Sequence, residues 1–100
     1  MRLNMIVHIA IFKWKSEVTK EEVEKVLADV RALKAKCKGV IDIICGENFS
    51  RYSEGFTHAI VVLAEDQKAL VGYRNHTLHQ ALAEEIEEME ERGIGMDFHT

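Results

Sequence analysis

The sequence predicts an α+β domain in which strands with two apolar faces alternate with amphipathic helices. Residues 5–15 and 58–64 alternate like strands but carry apolar side chains in both rows, whereas residues 19–37 have helical spacing. A strand covered on one face only places polar residues in one row, so this pattern indicates a sheet covered on both faces. No linker or internal repeat interrupts the 100 residues, which are expected to form one domain, 1–100.

The first helix has clear signals at both ends. Thr19 is a suitable N-cap, and Glu22 three residues later completes a capping box. Gly39 suits the position beyond the helix end, where a left-handed backbone is common. The stripe predicted to be buried consists of Val23, Val26, Leu27, Val30, Leu33 and Cys37.

The second half of the chain repeats this order with a divided helix. A strand is predicted over 40–47, and a polar loop with a turn at Glu54-Gly55 leads to the strand at 58–64. Asp66 is expected to cap a short helix that runs to about Arg74. The helical pattern breaks at Asn75-His76, and a capping box of Thr77 and Gln80 is expected to start a second helix that runs through Arg92. Gly93 is expected to end this helix. A final strand follows, with Ile94, Met96 and Phe98 in one row.

The order βαββ(αα)β predicts a four-stranded antiparallel sheet with helices on one face, the ferredoxin-like βαββαβ arrangement. The first and third strands are expected as parallel neighbours at its centre, which would place His8 and His58 near the same end. Because helices cover only one face, the other would expose a large apolar surface. We expect the same face of a second copy to cover it, giving a homodimer with a barrel-like core, a dimeric alpha/beta barrel.

Composition argues against several classes of partner. The net charge is −4 with no dense basic cluster, so no nucleic-acid partner is expected. No run approaches the ~20 apolar residues of a membrane span, and the N-terminal segment MRLNMIVHIAIF lacks the cleavage site of a signal peptide. Cys37 and Cys45 are eight apart, outside any CxxC spacing, and are expected to be reduced and partly buried. The cytoplasm is the expected compartment.

The stretch from Tyr73 to Gln80 contains the strongest candidates for chemistry. His79 falls at about the second position of the restarted helix, where the helix dipole disfavours imidazolium and favours a neutral ring. A neutral His79 can accept a proton, and Tyr73 can donate to a carbonyl oxygen, a pairing suited to enolisation or aldol closure. The alternative is that both side chains stabilise the helix break through hydrogen bonds to the backbone.

The other histidines allow two interpretations as well. His8, His58 and His76 are candidates for a ligand-binding pocket, although His8 and His58 could equally be histidines at the edge of the core with one hydrogen bond each. His76 and His79 are three apart, but no carboxylate or cysteine motif accompanies them, so we expect no metal and no cofactor. The glutamates of residues 84–91 are expected on the solvated face of their helix.

Several segments, in order, resemble the stress-responsive alpha/beta-barrel (Dabb) family. They are His8 with IFKWK, Thr19 to Glu22, Gly39-Val40, Gly46 to Ser50, Gly55 to Ala59, Tyr73 to Gln80, and Asp97-Phe98. The resemblance implies a dimeric alpha/beta barrel, in a family that includes plant stress-associated proteins and a plant polyketide cyclase performing an aldol condensation. It matches Tyr73 and His79 to a tyrosine and a histidine that act together in that cyclase, and His8 and His58 to pocket-lining histidines.

Two positions differ from the family pattern. The family usually has His-Pro where this chain has His76-Thr77, and a second pocket tyrosine of the cyclase falls on Val30. Two hypotheses follow. The first is a stress-associated barrel protein that binds a small apolar or carbonyl-containing molecule, or is purely structural, without turnover. The second is a cofactor-independent lyase or cyclase with His79 as base and Tyr73 as acid.

Overall fold

The computed structural model describes residues 4–100, so the first three residues of the N-terminal segment considered above lie outside it. Residues 4–100 form four strands and three α-helices in the predicted order. They are β1 (Ile6–Trp14), α1 (Lys20–Ala32), β2 (Val40–Glu47), β3 (His58–Ala64), α2 (Gln67–Asn75), α3 (Thr77–Met89) and β4 (Glu90–His99), with one 3₁₀ turn (Leu33–Ala35) after α1.

The start of α1 confirms the predicted capping box. The Thr19 hydroxyl accepts from the Glu22 amide at 3.1 Å, and the Glu22 carboxylate accepts from the Thr19 amide at 2.9 Å. Both bonds satisfy amides that the first helical turn leaves unpaired. The α-helix ends at Ala32, earlier than predicted, and the 3₁₀ turn carries the buried stripe on to Leu33.

The junction between α2 and α3 corrects the predicted capping box of Thr77 and Gln80. Asp66 caps α2 as expected, but the N-cap of α3 is His76, whose Nδ1 accepts from the Leu78 amide at 3.1 Å. Thr77 is consequently the first residue inside the helix. An imidazole nitrogen can take the acceptor role usually filled by a hydroxyl or carboxylate, and the sequence pattern did not indicate this.

The end of α3 is also a correction, because the helix stops at Met89 rather than at Arg92. Glu90 and Arg92 pair with β1, opposite Trp14 and Lys13, and Gly93 lies within β4 instead of ending a helix. The Met89 carbonyl accepts from the Lys15 amide at 2.9 Å. Pairing with β1 therefore outweighs the local helix preference of the glutamates.

The sheet has the order β2-β3-β1-β4, and every neighbouring pair is antiparallel. The expectation that β1 and β3 run parallel was wrong. Because the two strands are antiparallel, His58 pairs with Phe12, and His8 pairs with Val62. Four residues along β1 separate the two histidines, or about 13 Å. They lie toward opposite ends of the sheet.

The two faces of the sheet have different surroundings. Helices cover the face that carries Ile6, Phe12, Ile60 and Val62, and these side chains form one core with the inner stripes of α1, α2 and α3. The other face carries a continuous apolar surface. One row, Ile44–Val61–Ile9–Met96, crosses all four strands, and Ile44 and Met96 are 52% and 60% exposed. No helix within residues 4–100 is long and apolar enough to cross a membrane.

Gly39 allows a close approach between the start of β2 and α2. Its φ is +81°, and a Cβ there would lie 2.6 Å from the Ala69 Cβ, which cannot move without its backbone. We expect Gly39→Ala to lower the free energy of unfolding by about 1–3 kcal/mol, because strain and steric overlap add. Gly72→Ala in α2, where a Cβ meets nothing within 4 Å, is the control.

Chemical denaturation of both variants measures these effects. Gly72→Ala should be neutral or gain about 0.5–1 kcal/mol from the lower conformational entropy of alanine. A Gly39→Ala protein as stable as the wild type would contradict the close packing of β2 against α2.

Candidate functional site

A cavity of ≈ 220 Å³ lies between the helix-facing side of the sheet and helices α1 and α3. Its walls are mostly apolar, with a few polar side chains, the usual composition of a small-molecule site. The apolar residues are Ala10, Phe12, Val30, Ile60, Leu82, Ala83 and Ile86, and the polar ones are His8, Tyr73, His79, Glu87 and Glu90.

Tyr73, in the last turn of α2, presents a free hydroxyl to this cavity. The side chain is 2% exposed, yet its hydroxyl makes no hydrogen bond with residues 4–100. Among the same residues, every fully enclosed side-chain N or O atom has a hydrogen-bond partner. Because the Tyr73 hydroxyl has none, it is not fully enclosed and reaches the cavity surface. Burial raises the pKa of Tyr73 above its ordinary value of 10, which keeps the phenol protonated as a hydrogen-bond donor.

His79 faces Tyr73 from the first turn of α3. The two rings are 4.4 Å apart between centroids and tilted by 58°. His79 Nδ1 lies 3.1 Å from the Arg74 carbonyl oxygen, and since a carbonyl can only accept, Nδ1 carries the proton. Nε2 is therefore left as an acceptor. Burial lowers the pKa of His79, and the bond to Arg74 opposes this only in part, so the ring is neutral near pH 7.

A charged network connects the third polar side chain, His8, to Arg74. His8 Nδ1 lies 2.5 Å from one carboxylate oxygen of Asp97, and Arg74 Nη2 lies 2.5 Å from the other. Burial alone would raise the pKa of Asp97, but hydrogen bonds from Arg74 and His8 outweigh it and lower this pKa. An ionised Asp97 accepts from both His8 Nδ1 and the Arg74 guanidinium.

Sequence reasoning did not identify Arg74 and Asp97. One feature of the sequence could have indicated Asp97: it is a charged residue in the same row of β4 as Gly93 and Gly95, the row that faces the helices. To infer a role for Asp97, however, one must know that it pairs with His8, and this depends on the register between β4 and β1.

The cavity includes His8 and His79 but not His58 or His76. His58 Nδ1 accepts from Trp14 Nε1 at 2.9 Å and lies 2.8 Å from the Thr57 hydroxyl, at the other end of the sheet. Burial lowers the pKa of His58. His76 caps α3 and lines a different cavity, beside Gly39 and Ala69. Both have the contacts of structural histidines.

Two other chemistries have little support in the described part of the chain. Residues 4–100 contain no group of three or more His, Cys, Asp or Glu side chains placed to hold a metal ion. Cys37 and Cys45 are both free thiols, and burial raises the pKa of each, which makes them weaker nucleophiles at neutral pH.

The buried histidines predict a loss of stability in mild acid. The pKa values of His79 and His58 are lower in the folded protein than the ordinary value of 6.5, so the unfolded chain binds more protons below that pH. The free energy of unfolding should therefore fall as the pH decreases from about 7.5 to 5. Denaturation at several pH values measures this fall.

The matched variant is His79→Asn, whose amide nitrogen can still donate to the Arg74 carbonyl but does not titrate. Its stability should depend less steeply on pH over the same interval, with His58 supplying the remainder. An unchanged slope would show that the His79 ring is not buried in its neutral form.

Comparison with solved structures finds the same fold across nearly the full length of several proteins. A hydroxynitrile lyase from Passiflora edulis is 16% identical with a TM-score of 0.89, covering 97% of this chain and 94% of the other. A dimeric ferredoxin-like protein of unknown function from Thermobifida fusca is 23% identical with a TM-score of 0.86, covering 100% and 94%. A dimeric protein of unknown function and ferredoxin-like fold from Bacteroides fragilis is 25% identical with a TM-score of 0.76, covering 96% of each chain.

Comparison of the sequence with curated proteins finds no significant match. The family model described as Stress responsive A/B Barrel Domain, in contrast, matches residues 6–100. This match covers every strand and helix described above, including both sides of the cavity. The chain therefore belongs to the stress responsive A/B barrel domain (Dabb) family.

Proposed function

We propose that this protein acts as a homodimer in which each protomer binds a small, largely apolar carbonyl compound in the cavity beside Tyr73 and His79. The observation that carries the proposal is the Tyr73 hydroxyl, which is protonated, reaches the cavity surface from a largely buried side chain, and has no partner among residues 4–100. A donor that lies on the wall of a mostly apolar cavity and is not used by the protein is available to a ligand carbonyl oxygen.

The remaining contacts determine what else the ligand must satisfy. Ala10, Phe12 and Ile60 from the sheet oppose Leu82 and Ile86 from α3, so most of the ligand surface must be apolar. An apolar cavity of about 150 Å³ holds one benzene ring, and ≈ 220 Å³ therefore suits a single ring with a short substituent. The carbonyl oxygen would lie between Tyr73 and the two histidines.

The homodimer rests on the uncovered face of the sheet. Ile94, Met96 and Phe98 on β4 are 42%, 60% and 43% exposed, and they continue the apolar rows of β1 and β3. A monomer rarely exposes a contiguous apolar surface of this kind. The same face of a second copy covers it by two-fold symmetry, and two of the structurally similar proteins are described as dimeric.

A second candidate is turnover of the same ligand by acid–base chemistry. His79 Nε2 is an available base, and Tyr73 can donate to the oxygen that becomes negatively charged when a proton leaves the adjacent carbon. This is the enolisation or aldol chemistry of a cofactor-independent, cyclase-like lyase. One structurally similar protein is a hydroxynitrile lyase. Val30 lies in the cavity wall at the position of the cyclase's second pocket tyrosine, so this candidate depends on Tyr73 and His79 without that tyrosine.

We also infer a reducing compartment, the cytoplasm, since both cysteines are free thiols.

Removing the Tyr73 hydroxyl tests the proposed binding site. We expect Tyr73→Phe to weaken binding of a ring ketone such as benzylacetone by about fivefold, because one hydrogen bond is lost. The melting temperature should not fall, since the hydroxyl makes no hydrogen bond within residues 4–100. Tyr52→Phe, at a side chain 75% exposed in the loop before β3, is the control. Calorimetry and thermal shift supply both quantities.

Equal affinity of the wild type and Tyr73→Phe would place the ligand elsewhere. Turnover is followed in the same samples by exchange of the ligand protons next to the carbonyl for deuterium. Exchange that the wild type accelerates and His79→Ala does not would support the lyase candidate, and binding without exchange would support binding alone.

A charge on the open face tests the homodimer. The wild type should sediment as a dimer at micromolar concentration, and Met96→Glu should shift it toward monomer, because a buried unpaired carboxylate is strongly unfavourable. Val71→Glu, on α2 and 45% exposed, changes an apolar residue on the helical side and should leave the dimer intact. A monomeric wild type would contradict the proposal.

A further inference from the structure

The cavity has a second polar end, formed by Glu90 and Glu87. Glu90 is the first residue of β4 and pairs with Trp14, whereas His8 lies near the start of β1. His8 and Phe12, both in the cavity wall, are four residues apart, which separates the two ends by about 13 Å along the strand. The apolar walls lie between them.

Gly93 leaves room above the sheet for the Glu90 carboxylate. A Cβ on Gly93 would lie 2.3 Å from Glu90 Oε2 and 3.1 Å from its Cδ, so the carboxylate occupies the space above this glycine. Gly93 pairs with Phe12, whose side chain faces the helices and lines the cavity. The Glu90 side chain therefore folds back over the sheet on the cavity side.

This carboxylate has no positive partner or hydrogen-bond donor among residues 4–100, and the neighbouring charge that acts on it is that of Glu87, which has the same sign. Glu91, the next residue, points elsewhere and lies 3.8 Å from Lys13. Burial, together with the charge of Glu87, raises the pKa of Glu90 and makes its carboxylate a stronger acceptor than an exposed one.

We propose that Glu90 determines ligand specificity, and that the cavity selects ring-containing carbonyl compounds that carry a hydroxyl group at the end opposite the carbonyl. The hydroxyl donates to Glu90 while the carbonyl oxygen accepts from Tyr73. This inference rests on the proposed binding of a carbonyl compound and adds the second recognition group. A ligand with both groups satisfies two unpaired polar side chains at once.

Three related ketones test the proposal: benzylacetone, its para-hydroxy derivative and its para-methoxy derivative. The para-methoxy compound keeps the oxygen but cannot donate. Calorimetry with the dimeric wild type should show that the para-hydroxy compound binds about tenfold more tightly than the other two, because a hydrogen bond to a charged group is stronger than a neutral one.

Two variants should abolish this preference without abolishing binding. Glu90→Gln removes the charge, and Gly93→Ala places a methyl group where the carboxylate lies, at a backbone position that is not left-handed. Both should still bind benzylacetone, with no preference left for the para-hydroxy compound. Glu91→Gln, whose carboxylate lies outside the cavity wall, should keep the tenfold preference.

The affinities of the three ketones distinguish a failure of carbonyl binding from a failure of the role proposed for Glu90. If no ketone binds, the proposed function itself fails. If all three bind equally, or if Glu90→Gln and Glu91→Gln keep the same preference, carbonyl binding stands and the role of Glu90 is overturned.

Discussion

The break between α2 and α3 is the constraint on which the site depends. At the end of a helix the last carbonyls have no intrahelical partner. In α2 one of these is the Arg74 carbonyl, and His79 Nδ1 donates to it from the first turn of α3. His76 caps α3 in the same turn and donates its own amide to the Tyr73 carbonyl at 3.3 Å. A continuous helix would use these groups internally and would separate Tyr73 from His79.

The same break connects the helices to the sheet. Arg74 makes two contacts that orient the histidines. Its carbonyl accepts from His79 Nδ1 and so fixes the tautomer of that ring. Its guanidinium binds Asp97, and Asp97 in turn binds His8. Each histidine consequently has its Nδ1 held by a different partner, and in His79 this leaves Nε2 as the acceptor. We interpret Arg74 and Asp97 as positioning residues, because they orient imidazoles that line the cavity without lining it themselves.

The sequence predicted the local features of this fold better than its long-range pairing. Capping residues such as Thr19 and Asp66 act over three or four positions, and the alternation of β1 is a property of that strand alone. The caps and the strand could therefore be predicted from short stretches of sequence. The antiparallel pairing of β1 with β3 depends on the whole topology, and the error placed His58 near His8. The roles of Arg74, Asp97 and Glu90 depend on the register of β4. The sequence pattern alone predicts that Glu90, with the other glutamates of residues 84–91, faces solvent.

Strand β1 links the proposed dimer to the proposed site. Its even-numbered row carries His8, Ala10 and Phe12 into the cavity, while Ile9 and Ile11 lie on the open face. A sheet open on one face can twist, and each such movement would shift His8 relative to Tyr73 and His79, which the helices hold. In the proposed homodimer, a second copy packed on the open face would restrain β1 from that side. Dimerisation would then limit the movement of His8 relative to Tyr73 and His79, so the two apolar faces of β1 would both contribute to the geometry of the cavity.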